Sequence, residues 1–241
     1  MRVLLVYPEF PTTYWGFQHS LSLVGSRATL PPLGLITVAA LLPSDWEMRL
    51  VDMNVRTLTL ADLRWADVVL TGGMLVQEPS MHEVLARARR QGRRTVVGGP
   101  ACTTSPERFA DADCLWQGEA EGRVEALVAA IQGDPSAPRI VEAPATRPSL
   151  QDVPIPRFDL LEMPHYRSMC VQTSRGCPFA CEFCDIIEIF GRVPRVKRPA
   201  QVVAELAALH ALGHRGEVFI VDDNFIGNSK FALELAQALI V

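Results

Sequence analysis

The sequence predicts an α/β protein: a doubly wound parallel sheet in the N-terminal half, then the opening β-α-β-α of a second unit. Three observations predict this. Short apolar runs alternate with helical patterns from residue 1 to about residue 132. Glycines recur where the apolar runs end, and a proline-rich stretch divides the chain. Strand–helix alternation of this kind builds a parallel sheet with helices on both faces.

Taken in order, Arg2–Tyr7 reads as the first strand. Pro31-Pro32 and Pro43 bracket a helix over Leu33–Leu42. Met48–Met53 is the second strand, and Ala66–Leu70, running out at Gly72-Gly73, the third. Ser80–Arg90 is a helix whose basic last turn suits the helix dipole. Thr95–Val97, ending at Gly98-Gly99-Pro100, and Asp113–Trp116, ending at Gly118, are the fourth and fifth strands. Glu119–Ile131 is a helix that opens on acids. Ligands of such sheets bind beyond the carboxyl ends of the strands, where these glycines fall. Turn chemistry alone is the other reading of each glycine. No GxGxxG follows the first strand and there is no phosphate-binding loop, which disfavours a nicotinamide or flavin site.

Residues 133–157 hold six of the 18 prolines and read as an extended connector. The expected division is 1–132, a linker over 133–166, and 167–241. The last part offers Met169–Ser174 (strand), a cysteine loop, Ala200–Leu212 (helix, Pro199 in its first turn), Glu217–Val221 (strand) and a helix from Ser229.

Composition narrows the function. A formal net charge of −4 is too small to drive general nucleic-acid binding. With 49% hydrophobic and 21% charged residues the chain buries a core. No apolar run reaches a membrane span and no signal peptide is read at the start, so the expected location is the cytoplasm. Six cysteines are too few for a disulfide scaffold, and three crowd into eight positions.

That trio is the strongest signal: Ser174-Arg175-Gly176-Cys177-Pro178-Phe179-Ala180-Cys181-Glu182-Phe183-Cys184, spaced C-x3-C-x2-C after a strand. A compact loop turns three thiolates toward one centre. A four-iron cluster on three cysteines keeps one iron open to a substrate or cofactor. A structural zinc site needs a fourth ligand from Cys170, Cys102, Cys114 or a histidine, and none has finger-like spacing. Unliganded core cysteines are the third reading.

The loop resembles the radical S-adenosylmethionine (SAM) superfamily, whose signature is C-x3-C-x-aromatic-C, with Phe183 at the aromatic position. The resemblance implies that Cys177, Cys181 and Cys184 hold a 4Fe-4S cluster, that SAM chelates the fourth iron, and that Phe183 lies near the adenine. It implies a partial TIM-like barrel, with the cluster loop after its first strand. The second strand of that barrel commonly ends in a Gly-Gly-Glu motif that contacts the SAM amino group. Here Asp222-Asp223-Asn224 takes its place, so these three are cofactor-binding candidates. An Asx turn with a helix cap at Asn228 or Ser229 is the competing reading.

The two halves together resemble the cobalamin-binding radical SAM family, in the branch that includes hopanoid C-2 methylases. The pieces carrying the likeness run in order: Tyr7-Pro8-Glu9-Phe10-Pro11, Pro31-Pro32-Leu33-Gly34-Leu35, Leu50-Val51-Asp52-Met53-Asn54, Gly98-Gly99-Pro100, Asp152-Val153-Pro154-Ile155-Pro156 and Val221–Asn228. The first half is then of the Rossmann-like, cobalamin-binding type. The Asp-x-His-x-x-Gly motif of other cobalamin domains is absent, so cobalamin is expected without a protein histidine on cobalt. Strand-end loops would face the corrin: Tyr14–Gly16, Gly72–Gln77, Gly98–Thr103 and Gly118–Glu119. Gly72, Met74, Gln77, Gly98, Gly99 and Gly118 are the cofactor candidates there, with Met74, Leu75 and Gln77 on the lower face. No catalytic side chain is assigned.

The resemblance implies an enzyme that takes a low-potential electron, cleaves SAM to a 5′-deoxyadenosyl radical, and methylates an unactivated carbon of a lipid-like or other small molecule through cobalamin. Relatives use the same parts for cyclisation or rearrangement. A tRNA methylthiotransferase would need a second three-cysteine set, and only Cys102 and Cys114 lie in the first half. A non-catalytic cobalamin or zinc module is the remaining alternative. Such barrels have about six strand–helix units against two here, so the chain is expected to be an N-terminal fragment or half of a split enzyme. It is then expected to be inactive alone and to leave sheet edges exposed.

Overall fold

The computed structural model describes residues 1–13 and 17–240. The stretch Tyr14–Gly16, expected at the corrin, lies outside the described residues. Six parallel strands form the main sheet: β1 (Arg2–Tyr7), β2 (Glu47–Asp52), β3 (Val68–Gly72), β4 (Arg94–Gly98), β5 (Cys114–Trp116) and β6 (Ile140–Val141). Their order is β2-β1-β3-β4-β5-β6. The order reverses between β1 and β3, and in open parallel sheets the crevice at that switch point is where ligands sit.

Helices cover both faces: α1 (Gln18–Leu21, a single turn), α2 (Leu33–Leu41), α3 (Leu60–Trp65), α4 (Glu78–Arg90), α5 (Gly99–Thr104) and α6 (Val124–Gln132). Because both faces are covered, the central strands β1 and β4 are buried through their middles and β3 along its whole length. Val3, Leu5, Leu70 and Val96 face one core with Trp116 and Leu127. Leu4, Val6, Val69 and Val84 face the other with Leu58 and Leu63.

Several short elements went unread in the sequence, three of them around the main sheet's core and edge. α3 is short and opens on a capping box: Asp62 N donates to Thr59 Oγ1 at 3.1 Å and Thr59 N to the Asp62 carboxylate at 2.9 Å. α5 starts at the glycine pair that ends β4, with Pro100 in its first turn. β6 lies inside the proline-rich stretch and adds a parallel strand beside β5. That stretch is therefore partly a sheet edge and not only a strap.

Two expected elements are corrected. The helix foreseen at Glu119 starts at Val124, because Glu119 and Glu121 turn away into buried ion pairs. The strand foreseen over Met169–Ser174 breaks in two, β7 (Met169–Val171) and β8 (Ser174–Arg175). Asp222 pulls the chain aside at Thr173, accepting from its N and Oγ1, and β8 then pairs antiparallel with β9 (Arg195–Val196).

The second half continues with α7 (Ile186–Phe190), α8 (Pro199–Ala211), β10 (Val218–Ile220) and α9 (Ser229–Leu239). β10 lies parallel to β7. Two short strands bury too little to stand alone. Their core is completed from the first half: Met169, Val171, Val202 and Phe231 pack with Ala28, Ile36 and Val55. Tyr166 adds a buried hydrogen bond, its hydroxyl donating to Asp52 at 3.0 Å. Among the described residues no helix is long and apolar enough to cross a membrane.

Candidate cofactor cleft

A cavity of about 590 Å³ lies between the carboxyl edge of the main sheet and the second half. That is within the range of sites for small molecules and cofactors. Its floor comes from strand ends: Tyr7 of β1, Thr71–Gly73 at β3, Gly98 and Gly99 at β4, Trp116 and Gly118 at β5. Its opposite wall comes from Gln172, Arg175, Asp185, Ile186, Phe190 and Asp223. Of the candidates in the second half Asp223 lines this space, together with Gly72, Met74, Gly98, Gly99 and Gly118 from the first.

The glycines make the floor low. A Cβ on Gly72 would stand 2.9 Å from the carbonyl oxygen of Gly98, so the β3 and β4 ends close to this distance only without side chains. Thr71 Oγ1 and Trp116 Nε1 are buried, belong to residues of the lining, and have no hydrogen-bond partner among the described residues. Buried polar groups are nearly always satisfied, so two orphans on one cavity wall fit a bound polar ligand.

Of the other floor candidates, Met74 lines the cavity and is about half exposed. Gln77 does not face it. Gln77 is fully buried: its Nε2 donates to the Pro8 carbonyl at 2.6 Å and its Oε1 accepts from Met74 N at 3.0 Å. It braces the loop that presents Met74, and its complete burial keeps its remaining N–H and lone pair away from a ligand. None of the five histidines lines the cavity.

The cysteine loop leaves β8 at the cavity wall. Cys177, Cys181 and Cys184 are free thiols in partly or fully exposed positions. Cys102, Cys114 and Cys170 are buried; desolvation pushes the Cys102 and Cys170 thiols up to about 12 and also raises Cys114. Only the loop trio is therefore both accessible and clustered in sequence, and three soft donors with no fourth suit an incompletely ligated iron–sulfur cluster. Among the described residues no three His, Cys, Asp or Glu side chains already converge on one point. Gly176 shapes the loop entry at φ +95°, and Cys177 N donates to Gly191 O at 3.2 Å. Phe183 is 92% exposed and is not part of this cavity's lining.

The Asp222-Asp223-Asn224 turn divides into three jobs. Asp222 spends both oxygens on Thr173 and Ser174, which corrects its reading as a ligand-binding group. Asp223 lines the cavity and accepts from Gly176 N at 3.3 Å; burial, reinforced by the nearby Asp222 charge, holds its carboxyl above the usual range. Asn224 Nδ2 donates toward Cys177 Sγ at 3.6 Å. The helix cap falls at Asn228, whose Oδ1 accepts from Phe231 N.

Sequence reasoning missed a charge network on the same wall. Glu119 accepts from Arg175 Nη1 at 2.7 Å and from Arg195 Nη2 at 2.8 Å, and Glu121 pairs with Arg175 Nη2 at 2.9 Å. Burial alone would raise the Glu121 carboxyl, but Arg175 and Arg195 more than reverse this and hold it below its usual range. The carboxylates lie more than fifty residues from the guanidiniums in sequence, so no spacing pattern announced them.

Comparison with known proteins agrees with this architecture. The family model described as B12 binding domain matches residues 23–128. An uncharacterized methyltransferase of Synechocystis sp. is 50% identical over 232 residues, covering 95% of this chain and 43% of that protein. The hopanoid C-2 methylase of Rhodopseudomonas palustris is 38% identical over 242 residues, covering 99% of this chain and 46% of the methylase. The chain thus spans about half the length of these relatives. Among solved structures, the cobalamin-dependent SAM radical enzyme OxsB, with aqua-cobalamin and SAM bound, superposes with a TM-score of 0.70 at 17% identity, over 99% of this chain and 37% of that one.

Proposed function

From its place among the cobalamin-binding-domain radical SAM proteins, in the branch resembling hopanoid C-2 methylases, we propose that this chain carries the cofactor-binding part of an enzyme that methylates an unactivated carbon of a lipid-like or other small molecule. The observation that carries the reading is the cavity shared by the glycine-edged strand ends and the wall from which the cysteine loop springs.

Cys177, Cys181 and Cys184 hold a 4Fe-4S cluster, and Asn224 Nδ2 directs a hydrogen bond at the first of these sulfurs. Gly72, Gly98 and Gly99 let backbone approach cobalamin closely, while Thr71 Oγ1 and Trp116 Nε1 offer their unused hydrogen bonds to the bound ligand. Asp223 faces the same space and is placed to orient the ammonium of SAM. When bound, these groups supply one-electron chemistry and a transferable methyl group, which the protein positions. Leu75, Val76, Ile186 and Ile189 line the cleft with apolar surface, which excludes water and suits a substrate with few polar groups. A small or protein low-potential donor supplies the electron.

Anaerobic reconstitution with iron and sulfide tests the reading. A broad visible iron–sulfur absorbance is expected in the wild type and is lost in Cys181→Ala. Tetrahedral zinc in place of iron, or no metal uptake, would overturn it.

A further inference from the structure

The Glu119–Glu121/Arg175–Arg195 network joins the two sides of the cleft. Glu119 and Glu121 follow β5 in the first half; Arg175 and Arg195 lie in the paired strands β8 and β9 of the second. The side chains are 4% (Glu119), 8% (Glu121), 11% (Arg175) and 14% (Arg195) exposed, so solvent screens them little. Two carboxylates face two guanidiniums, and the set is balanced in charge.

Each arginine is also tied to the cysteine loop. Arg175 stands two residues before Cys177, and its Nε donates to Gln172 Oε1 at 2.7 Å. Arg195 Nη2 donates to Phe190 O at 3.0 Å, where α7 ends, and the next residue, Gly191, accepts from Cys177 N. Both the entry and the exit of the loop are thus fastened to carboxylates at the glycine edge. Buried ion pairs of this kind stabilise little beyond what apolar packing would give, but their directional bonds fix register. A packed ion-pair network that touches both sites carries coupling when loading one site shifts its arrangement.

We infer that Glu119, Glu121, Arg175 and Arg195 are positioning residues that couple the two cofactor sites, so that loading the cysteine loop and binding cobalamin at the glycine edge change each other's affinity. The inference rests on the function proposed above. Coupling is reciprocal, so one direction suffices to measure it.

Hydroxocobalamin is titrated into the 241-residue chain, first free of iron and then after anaerobic reconstitution, following the cobalamin visible bands. The wild-type affinities are expected to differ by about fivefold or more, the lower end of ordinary coupling between sites. In Glu119→Gln/Glu121→Gln the ratio should fall to within about twofold of one, whatever direct effect the lining residues have on binding, since that effect cancels in the ratio. Should this pair fail to melt cooperatively, Arg195→Lys decides: it keeps the charge, loses the two-pronged contact, and should give a ratio between the two. Equal wild-type affinities, or a variant that keeps the wild-type ratio, overturns the coupling while both cofactors still bind. A wild type that takes up no iron or no cobalamin overturns the proposed function, and the coupling with it.

Discussion

At Gly176 the backbone sits at φ +95°, and a Cβ there would stand 2.8 Å from the Val193 carbonyl oxygen. Gly176→Ala is therefore expected to cost about 1–3 kcal/mol and to lower iron bound per chain after reconstitution. Thermal unfolding and iron analysis check both. Asp222 makes a separate case. Its side chain ties β7 to β8 through Thr173 and Ser174, so Asp222→Ala strands the Thr173 donors and should destabilise by about 1–3 kcal/mol. Asp223→Asn, facing the cavity, should leave urea stability nearly unchanged and weaken SAM binding. Equal loss of SAM binding in both variants would mean that the division of labour in this turn is wrong. The motif was legible in sequence because its residue types are polar and adjacent. Which of them points inward depended on the break after Val171, which no local pattern encodes.

Among the elements, α3 joins a good cap to tertiary packing, with Leu63 fully buried in the core. Burial would raise the Asp62 carboxyl, but hydrogen bonds from Arg56 and Thr59 hold it at about 2, below the ordinary 3.8. A carboxyl with a depressed folded-state pKa adds stability above its unfolded pKa and loses it as pH falls through the folded value. The Asp62 contribution should thus be complete above about pH 4 and fade toward pH 2. Asp62→Asn should flatten that part of the stability–pH curve, measured by urea unfolding at a series of pH values. Thr59→Ala should cost about 1 kcal/mol. Six residues carry too short a periodic signal to stand out, which is why the helix went unread. The long apolar runs of β1 and β3 and the proline-bracketed α2 were legible, because a strand buried on both faces has to be continuously apolar.

Across the whole molecule the second half leans on the first for its core, and its own sheet stays narrow. Among the described residues β10 pairs only with β7, and Phe219 on β10 is 57% exposed. Unpaired edges beside exposed apolar side chains such as Ile226 and Leu233 invite association. The chain is expected to self-associate with rising concentration in sedimentation velocity, and Phe219→Lys to shift it toward monomer. A wild type that stays monomeric at high concentration would show that this edge is protected.

What the sequence determined unaided was local: where the first five strands of the main sheet lie, where glycines end three of them, and that three thiols share one loop. These follow from side-chain periodicity and spacing along the chain, which need no partner to be read. Only the tertiary structure decided that β6 comes out of the proline-rich stretch, that Gln77 and Asp222 are braces, and that two carboxylates after β5 grip the arginines around the cysteine loop. Those outcomes depend on which buried polar groups meet across the cleft. That pairing is set by desolvation and geometry between distant residues, so no stretch of sequence contains it.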